Sequence, residues 1–218
     1  MKLLNNLSVN LVPYTYLLIL HPDESVREKI LEQKKLFAEK LECPSCLHSK
    51  PHITLLKFTQ YNSLETRIVK RISNFAQTIS PFSISLNGFG SFPSHTIYFN
   101  VQTKNEIISL VKNLRELHLP LKMDKDNKPH FITEPHITLA RKLLPYQYEK
   151  GWLEWSNQNF TARFPASEMI LLKRRNITSN FQLVKTFSFA GKKEQVQQGS
   201  LFSPLNPPKG EFLNHKND

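Results

Sequence analysis

The sequence predicts an α+β fold: a duplicated, bilobal arrangement with two antiparallel sheets flanking a central cleft and helices on the outside. Three observations carry this. The pentapeptide Pro-His-Ile-Thr-Leu occurs twice, at residues 51–55 and 135–139, so that His52 and His136 lie 84 positions apart. Strand-like and helix-like stretches recur in similar order around each copy. A chain of 218 residues with 39% apolar content is also long enough to bury a real core around such a cleft.

The elements follow in order. The apolar run Tyr14 to Leu20, preceded by Pro13, is too short to span a bilayer and fits a first buried strand. Pro22 and Asp23 open a helix to about Leu41, with Val26, Ile30, Phe37 and Leu41 as its apolar stripe. A loop over 42–50 delivers the first motif strand. Asn62 with Glu65 three residues on has the capping-box pattern, and the helix it starts buries Leu64, Ile68, Ile72, Phe75 and Ile79. Residues 82–92 and 96–101 alternate as a strand pair around Gly88, Gly90 and Pro93. Thr103 with Glu106 repeats the capping-box signal for a helix through Ile107, Leu110, Val111 and Leu114 to about His118. A charged loop, 120–134, leads to the second motif strand. Residues 145–160 form a short helix containing Trp152 and Trp155, and 167–173 and 181–189 are closing strands. The domain therefore spans 1–190. From Gly191 to Asp218 the chain is polar, carries three prolines and has no periodicity, which predicts a disordered tail.

A formal charge of +11 and a pI near 9.6 favour a polyanionic partner such as RNA or a nucleotide, although a basic surface serves solubility equally well. The absence of a long apolar run predicts a soluble, cytoplasmic protein with no membrane partner; a monomer is the default. Cys43 and Cys46 are the only cysteines. Their Cys-Pro-Ser-Cys spacing lacks the second pair a zinc site needs, and Leu47 separates Cys46 from His48, which breaks a haem-attachment motif. Two reduced thiols in a loop are expected, with a disulfide switch near the first motif as the alternative.

Alternate residues of a strand share a face, so His52 points with Thr54 and His136 with Thr138. One such motif alone reads as a buried, hydrogen-bonded histidine, and a five-residue repeat arises by chance in about one chain in a hundred of this length. Two copies facing one cleft do more. One neutral imidazole can take a proton while the other, protonated, gives one, and hydroxyls beside them can hold the oxygens on which charge builds. Such a pair suits opening of a 2',3'-cyclic phosphate and requires no metal or cofactor. A nearby His130 in a charged loop reads as a surface histidine.

The two His-x-Thr-Leu motifs resemble those of the two-histidine (2H) phosphoesterase superfamily, which includes 2'-5' RNA ligases and RNA 2',3'-cyclic phosphodiesterases. Residues 86–93, Leu-Asn-Gly-Phe-Gly-Ser-Phe-Pro, are similar to its mid-chain hairpin, and Tyr16 to Pro22 to its first strand, so the resemblance covers about residues 14–190. It implies catalytic roles for His52 and His136 and phosphate contacts from Thr54 and Thr138. Ala140-Arg141 follows the second motif as in relatives, which implies that Arg141 lines the phosphate site; plain alternation puts it on the wrong face, so that role requires a bulge. Lys57 holds the equivalent place in the first copy, where a solvated lysine is expected.

Among Tyr16, Phe58, Phe92 and Phe131, the candidates to stack a nucleobase are Tyr16 and Phe131. Lys173 to Arg175 is the densest basic run and either tracks an RNA backbone or forms a solvated turn. The expected activity is metal-independent phosphodiester chemistry at an RNA terminus or cyclic nucleotide, reversible as 2'-5' ligation. The alternative is an RNA or nucleotide binding module with the same cleft and little turnover.

Overall fold

The structure, a computed structural model, describes residues 12–192. The expected disordered tail lies outside them except for Gly191 and Lys192, whose backbone N–H groups donate to Ile79 and Gln77. The strands are β1 (Pro13–Leu20), β2 (Ile53–Tyr61), β3 (Phe82–Phe92), β4 (Thr96–Val101), β5 (His130–Phe131), β6 (His136–Arg141), β7 (Thr161–Ala166), β8 (Glu168–Arg174) and β9 (Gln182–Ser188). The helices are α1 (Glu24–Lys40), α2 (Glu65–Thr78), α3 (Lys104–Leu114), a single turn α4 (His118–Leu121) and α5 (Pro145–Trp155). No helix among the described residues is long and apolar enough to cross a membrane.

Instead of two separate sheets, hydrogen bonds link the strands in one antiparallel path, β7-β3-β4-β6-β2-β1-β8-β9, with β5 on β2. The path narrows at its middle: β6 meets β2 through the single pair Ile53–Ile137. On either side the motif strand is innermost and pairs outward with one neighbour, β2 with β1 and β6 with β4. The apolar residues of the motifs, Ile53, Leu55, Ile137 and Leu139, are fully buried and face the helices. Helices α1 and α5 cover the β4–β6 side, with Phe37 and Ile97 against Gly151, where a side chain would collide with the Phe37 ring. Helix α3 packs on β2 and α2 on β9.

Local signals place most helix starts and err in how they are capped. Asp23 caps α1 by accepting from the Val26 N–H at 3.0 Å. Neither expected capping box forms: Asn62 begins a 3-10 turn, and Thr103 Oγ accepts instead from the Ser85 N–H of β3. The Glu65 carboxylate accepts from Tyr16 and Lys173 at 3.0 and 2.7 Å. Tertiary partners have taken the polar groups that the local pattern assigned to the caps.

Cys43 and Cys46 form a disulfide, correcting the expectation of reduced thiols. A 3-10 turn over Pro44–His48 brings their Cα atoms to 5.7 Å, within the range a disulfide spans. Two strands were not foreseen. β7 sits at the sheet edge, where Pro165 is tolerated, and β5 is only two residues long.

Candidate active site

Because β2 and β6 cross antiparallel at Ile53–Ile137, each motif flanks that pair in opposite order. His52 and Thr54 precede and follow Ile53; His136 and Thr138 precede and follow Ile137. The isoleucines are buried and the four flanking side chains are half-exposed, so all four lie on the face turned away from the core.

Both imidazoles are held in the same way. His52 Nδ1 donates to the Lys50 carbonyl and His136 Nδ1 to the Glu134 carbonyl, each at 2.8 Å and each two residues upstream. A carbonyl can only accept, so the proton sits on Nδ1 in both rings and Nε2 is left for other work. Burial pushes the His52 pKa down, opposed by the Lys50 contact and reinforced by the positive charge of Arg141, Lys34 and His136. His136 is walled by Phe92, edge-on at 5.0 Å, and Tyr98 at 5.1 Å. The Tyr98 ring lies across Gly90, its cross-strand partner, where a Cβ would stand 2.5 Å from the ring. Burial, with the nearby Glu134 carboxylate, raises the Tyr98 pKa and keeps its hydroxyl protonated.

A bulge follows the threonine in each copy. Thr138 pairs with Tyr98 and Ala140 with Ile97, which leaves Leu139 as the extra residue; Thr54 pairs with Ile19 and Leu56 with Leu18, which leaves Leu55 extra. Leu55 and Leu56 are consecutively buried, as are Leu139 and Ala140, and the exposed residue that follows returns to the histidine face. That residue is Arg141 in one copy and Lys57 in the other. The bulge thus removes the parity objection to Arg141, and it gives Lys57 the matching place. Lys142, with φ of 57°, ends β6 directly after Arg141.

A family comparison matches residues 22–178 to the 2'-5' RNA ligase superfamily. The chain belongs to that superfamily. A search of curated protein sequences gives no match. Among solved structures, the chain is similar to TT0787 of Thermus thermophilus, with 18% identity and a TM-score of 0.56 over 82% of this chain and all of that one. It is also similar to Escherichia coli LigT complexed with 3'-AMP, with 17% identity and a TM-score of 0.55 over 81% of this chain and 98% of that one. At these identities the likeness establishes the shared fold.

Within this superfamily member, the aromatic candidates change. Tyr16 is 0% exposed, stacks on Phe58 at 4.9 Å and donates its hydroxyl to Glu65, so it is a core residue and not a base-stacking platform. Burial and then the Glu65 carboxylate drive its pKa upward. Phe131, 7% exposed and paired with Leu56, is roofed by the Arg115 guanidinium at 5.2 Å and is likewise closed to a base. Phe92, not preferred on sequence grounds, and Tyr98 are the rings beside His136. Lys173 is engaged by Glu65 and Asn62, and Arg174 lies over Phe181, which leaves Arg175 as the exposed member of this run. His130 is exposed beside Lys57.

Lys34 of α1 was missed. Its signal was present: it falls four residues after Ile30 and three before Phe37, in the apolar stripe, yet carries a charge. Among the described residues, no group of three or more His, Cys, Asp and Glu side chains is placed to hold a metal ion.

Proposed function

We propose that this protein is a metal-independent phosphodiesterase acting on 2',3'-cyclic phosphate ends of RNA or nucleotides; with a 5'-hydroxyl in place of water as the nucleophile and the 3'-oxygen as the leaving group, the same attack on phosphorus forms a 2'-5' linkage. The observation that carries this is the pair of Nδ1-anchored imidazoles on one face, each beside a threonine hydroxyl. His52, whose neutral form burial and neighbouring cations favour, takes the proton of the attacking water on Nε2. The water oxygen bonds to phosphorus as the bond to one ribose oxygen breaks, and His136 donates a proton to that leaving oxygen. Thr54, Thr138 and Arg141 hold the non-bridging oxygens, where charge grows in the transition state. Each proton-transfer residue is typically worth about 100- to 10,000-fold. That the similar Escherichia coli LigT has been solved complexed with 3'-AMP supports a nucleotide ligand.

The test is incubation of the purified protein with 2',3'-cyclic mononucleotides and with RNA oligonucleotides ending in a cyclic phosphate, with and without chelator. Conversion to a monophosphate end that is unchanged by chelator is expected. Tight binding of cyclic-phosphate RNA that persists unprocessed over hours would instead establish a binding module.

A further inference from the structure

We propose that Lys34 is a positioning residue for His52, clamping the turn that feeds the first motif strand so that the imidazole is held against the Lys50 carbonyl. The inference rests on His52 being a catalytic imidazole.

Lys34 is 0% exposed and sits among Val26, Ile30, Phe37 and Ala38 on the buried stripe of α1. An ammonium taken from water costs several kcal/mol unless its surroundings repay it. The usual repayment is a carboxylate, and among the described residues no ion pair includes Lys34. Both of its hydrogen bonds go instead to one residue, the Ser49 carbonyl and the Ser49 hydroxyl, each at 2.8 Å. Ser49 is followed by Lys50, whose carbonyl accepts from His52 Nδ1, so a short relay runs from the ammonium through two successive peptides to the imidazole. The same turn is closed upstream by the Cys43–Cys46 disulfide.

The charges facing His52 are those of Arg141 and His136 from β6 and Lys34 from α1, all of one sign. Burial, with Arg141 nearby, lowers the Lys34 pKa to about 8, which leaves it mostly protonated at neutral pH. A lysine present only to fill space is matched there by methionine, often without loss of stability. A lysine holding Ser49 is not.

The test compares wild type, Lys34→Met and Lys34→Arg as full chains, reading the His52 ring signals by NMR through a pH titration, with His136 as internal reference, beside kcat and KM on a 2',3'-cyclic nucleotide. In Lys34→Met, His52 should titrate at higher pH by about half a unit or more, the effect of removing one nearby charge under strong screening. Its Nδ1–H signal should broaden. kcat should fall about 10- to 100-fold, with KM within about threefold, as expected for a displaced reacting group. Lys34→Arg should recover part of each effect. His52 signals identical to wild type in Lys34→Met would overturn the proposal.

The titration needs no substrate, so a wild type that turns nothing over would count against the phosphodiesterase function alone. Should Lys34→Met fail to fold, Ser49→Ala removes one acceptor and keeps the packing. It keeps the ammonium and acts only through a looser Lys50 contact, which holds the His52 pKa up, so His52 should titrate at slightly lower pH with a broadened Nδ1–H signal, and unmoved His52 signals there would equally overturn the proposal.

Discussion

Gly90→Ala tests whether the wall behind His136 is built as described. A Cβ at this position would stand 2.5, 2.6 and 2.7 Å from Cε2, Cζ and Oη of Tyr98, about 1 Å inside ordinary contact. The ring cannot yield freely, because Tyr98 is 7% exposed and packs on Phe92 at 4.7 Å and on His136 at 5.1 Å. On backbone grounds alone, alanine in place of a strand glycine is favourable by about 0.5–1 kcal/mol. Overpacking costs about 1–3 kcal/mol, and with the Tyr98 ring held by its neighbours the net change is destabilising by up to about 2.5 kcal/mol, roughly 5–10 °C in Tm at that limit for a domain of this size.

The larger effect falls on chemistry, since a displacement of about 1 Å at a reacting group costs about 100-fold. Calorimetry and steady-state kinetics on a 2',3'-cyclic nucleotide read both quantities. Tyr98→Leu in the Gly90→Ala background should be no worse than Tyr98→Leu alone, because the clash partner is gone. A Gly90→Ala variant with wild-type Tm and kcat within twofold would refute this reasoning.

Tyr16→Phe should leave kcat and KM unchanged while lowering stability by about 1 kcal/mol through the lost Glu65 hydrogen bond, as read by chemical denaturation alongside kinetics. For Lys34, the pKa is lower folded, at about 8, than the ordinary 10.5, so the unfolded chain binds the proton more tightly between those values. Stability from this group therefore rises as pH goes from about 8 to about 10.5 and is lost again as pH falls back to about 8; denaturation across that range should show a rise in wild type that Lys34→Met lacks. Mass spectrometry after thiol alkylation should find Cys43 and Cys46 unmodified until a dithiol reductant is added. Cys43→Ser/Cys46→Ser should cost at most about 2 kcal/mol, the chain-entropy value for so short a loop.

What the sequence made legible is what short-range patterns control. Strand parity put His52 with Thr54 and His136 with Thr138, and apolar periodicity located α1 and the β3–β4 pair nearly to the residue and one end each of α2 and α3 to within three or four residues. Features set by distant partners were hidden. Glu65 and Thr103 look like capping residues in sequence, but Tyr16, Lys173 and the Ser85 N–H compete for them in the fold. The bulges at Leu55 and Leu139 leave only two consecutive apolar residues as their trace, and those also fit an uninterrupted strand.

Aromatic residues were hardest to place, because a ring's exposure depends on which neighbour covers it. Tyr16 is sealed by Phe58 and Phe131 by Arg115, whereas Phe92 stays half-buried beside His136. Lys34 was overlooked because a charge at an apolar-stripe position looks like a lapse in the pattern until its acceptors are seen.

The division of one phosphate site between the two motifs is tested most directly by His52→Ala and His136→Ala, each measured for turnover of a 2',3'-cyclic nucleotide at matched folding by thermal melting. Each variant should retain its fold, since both side chains sit on the face away from the core, and each should lose at least about 100-fold in kcat. Normal turnover by either folded variant would contradict the assignment.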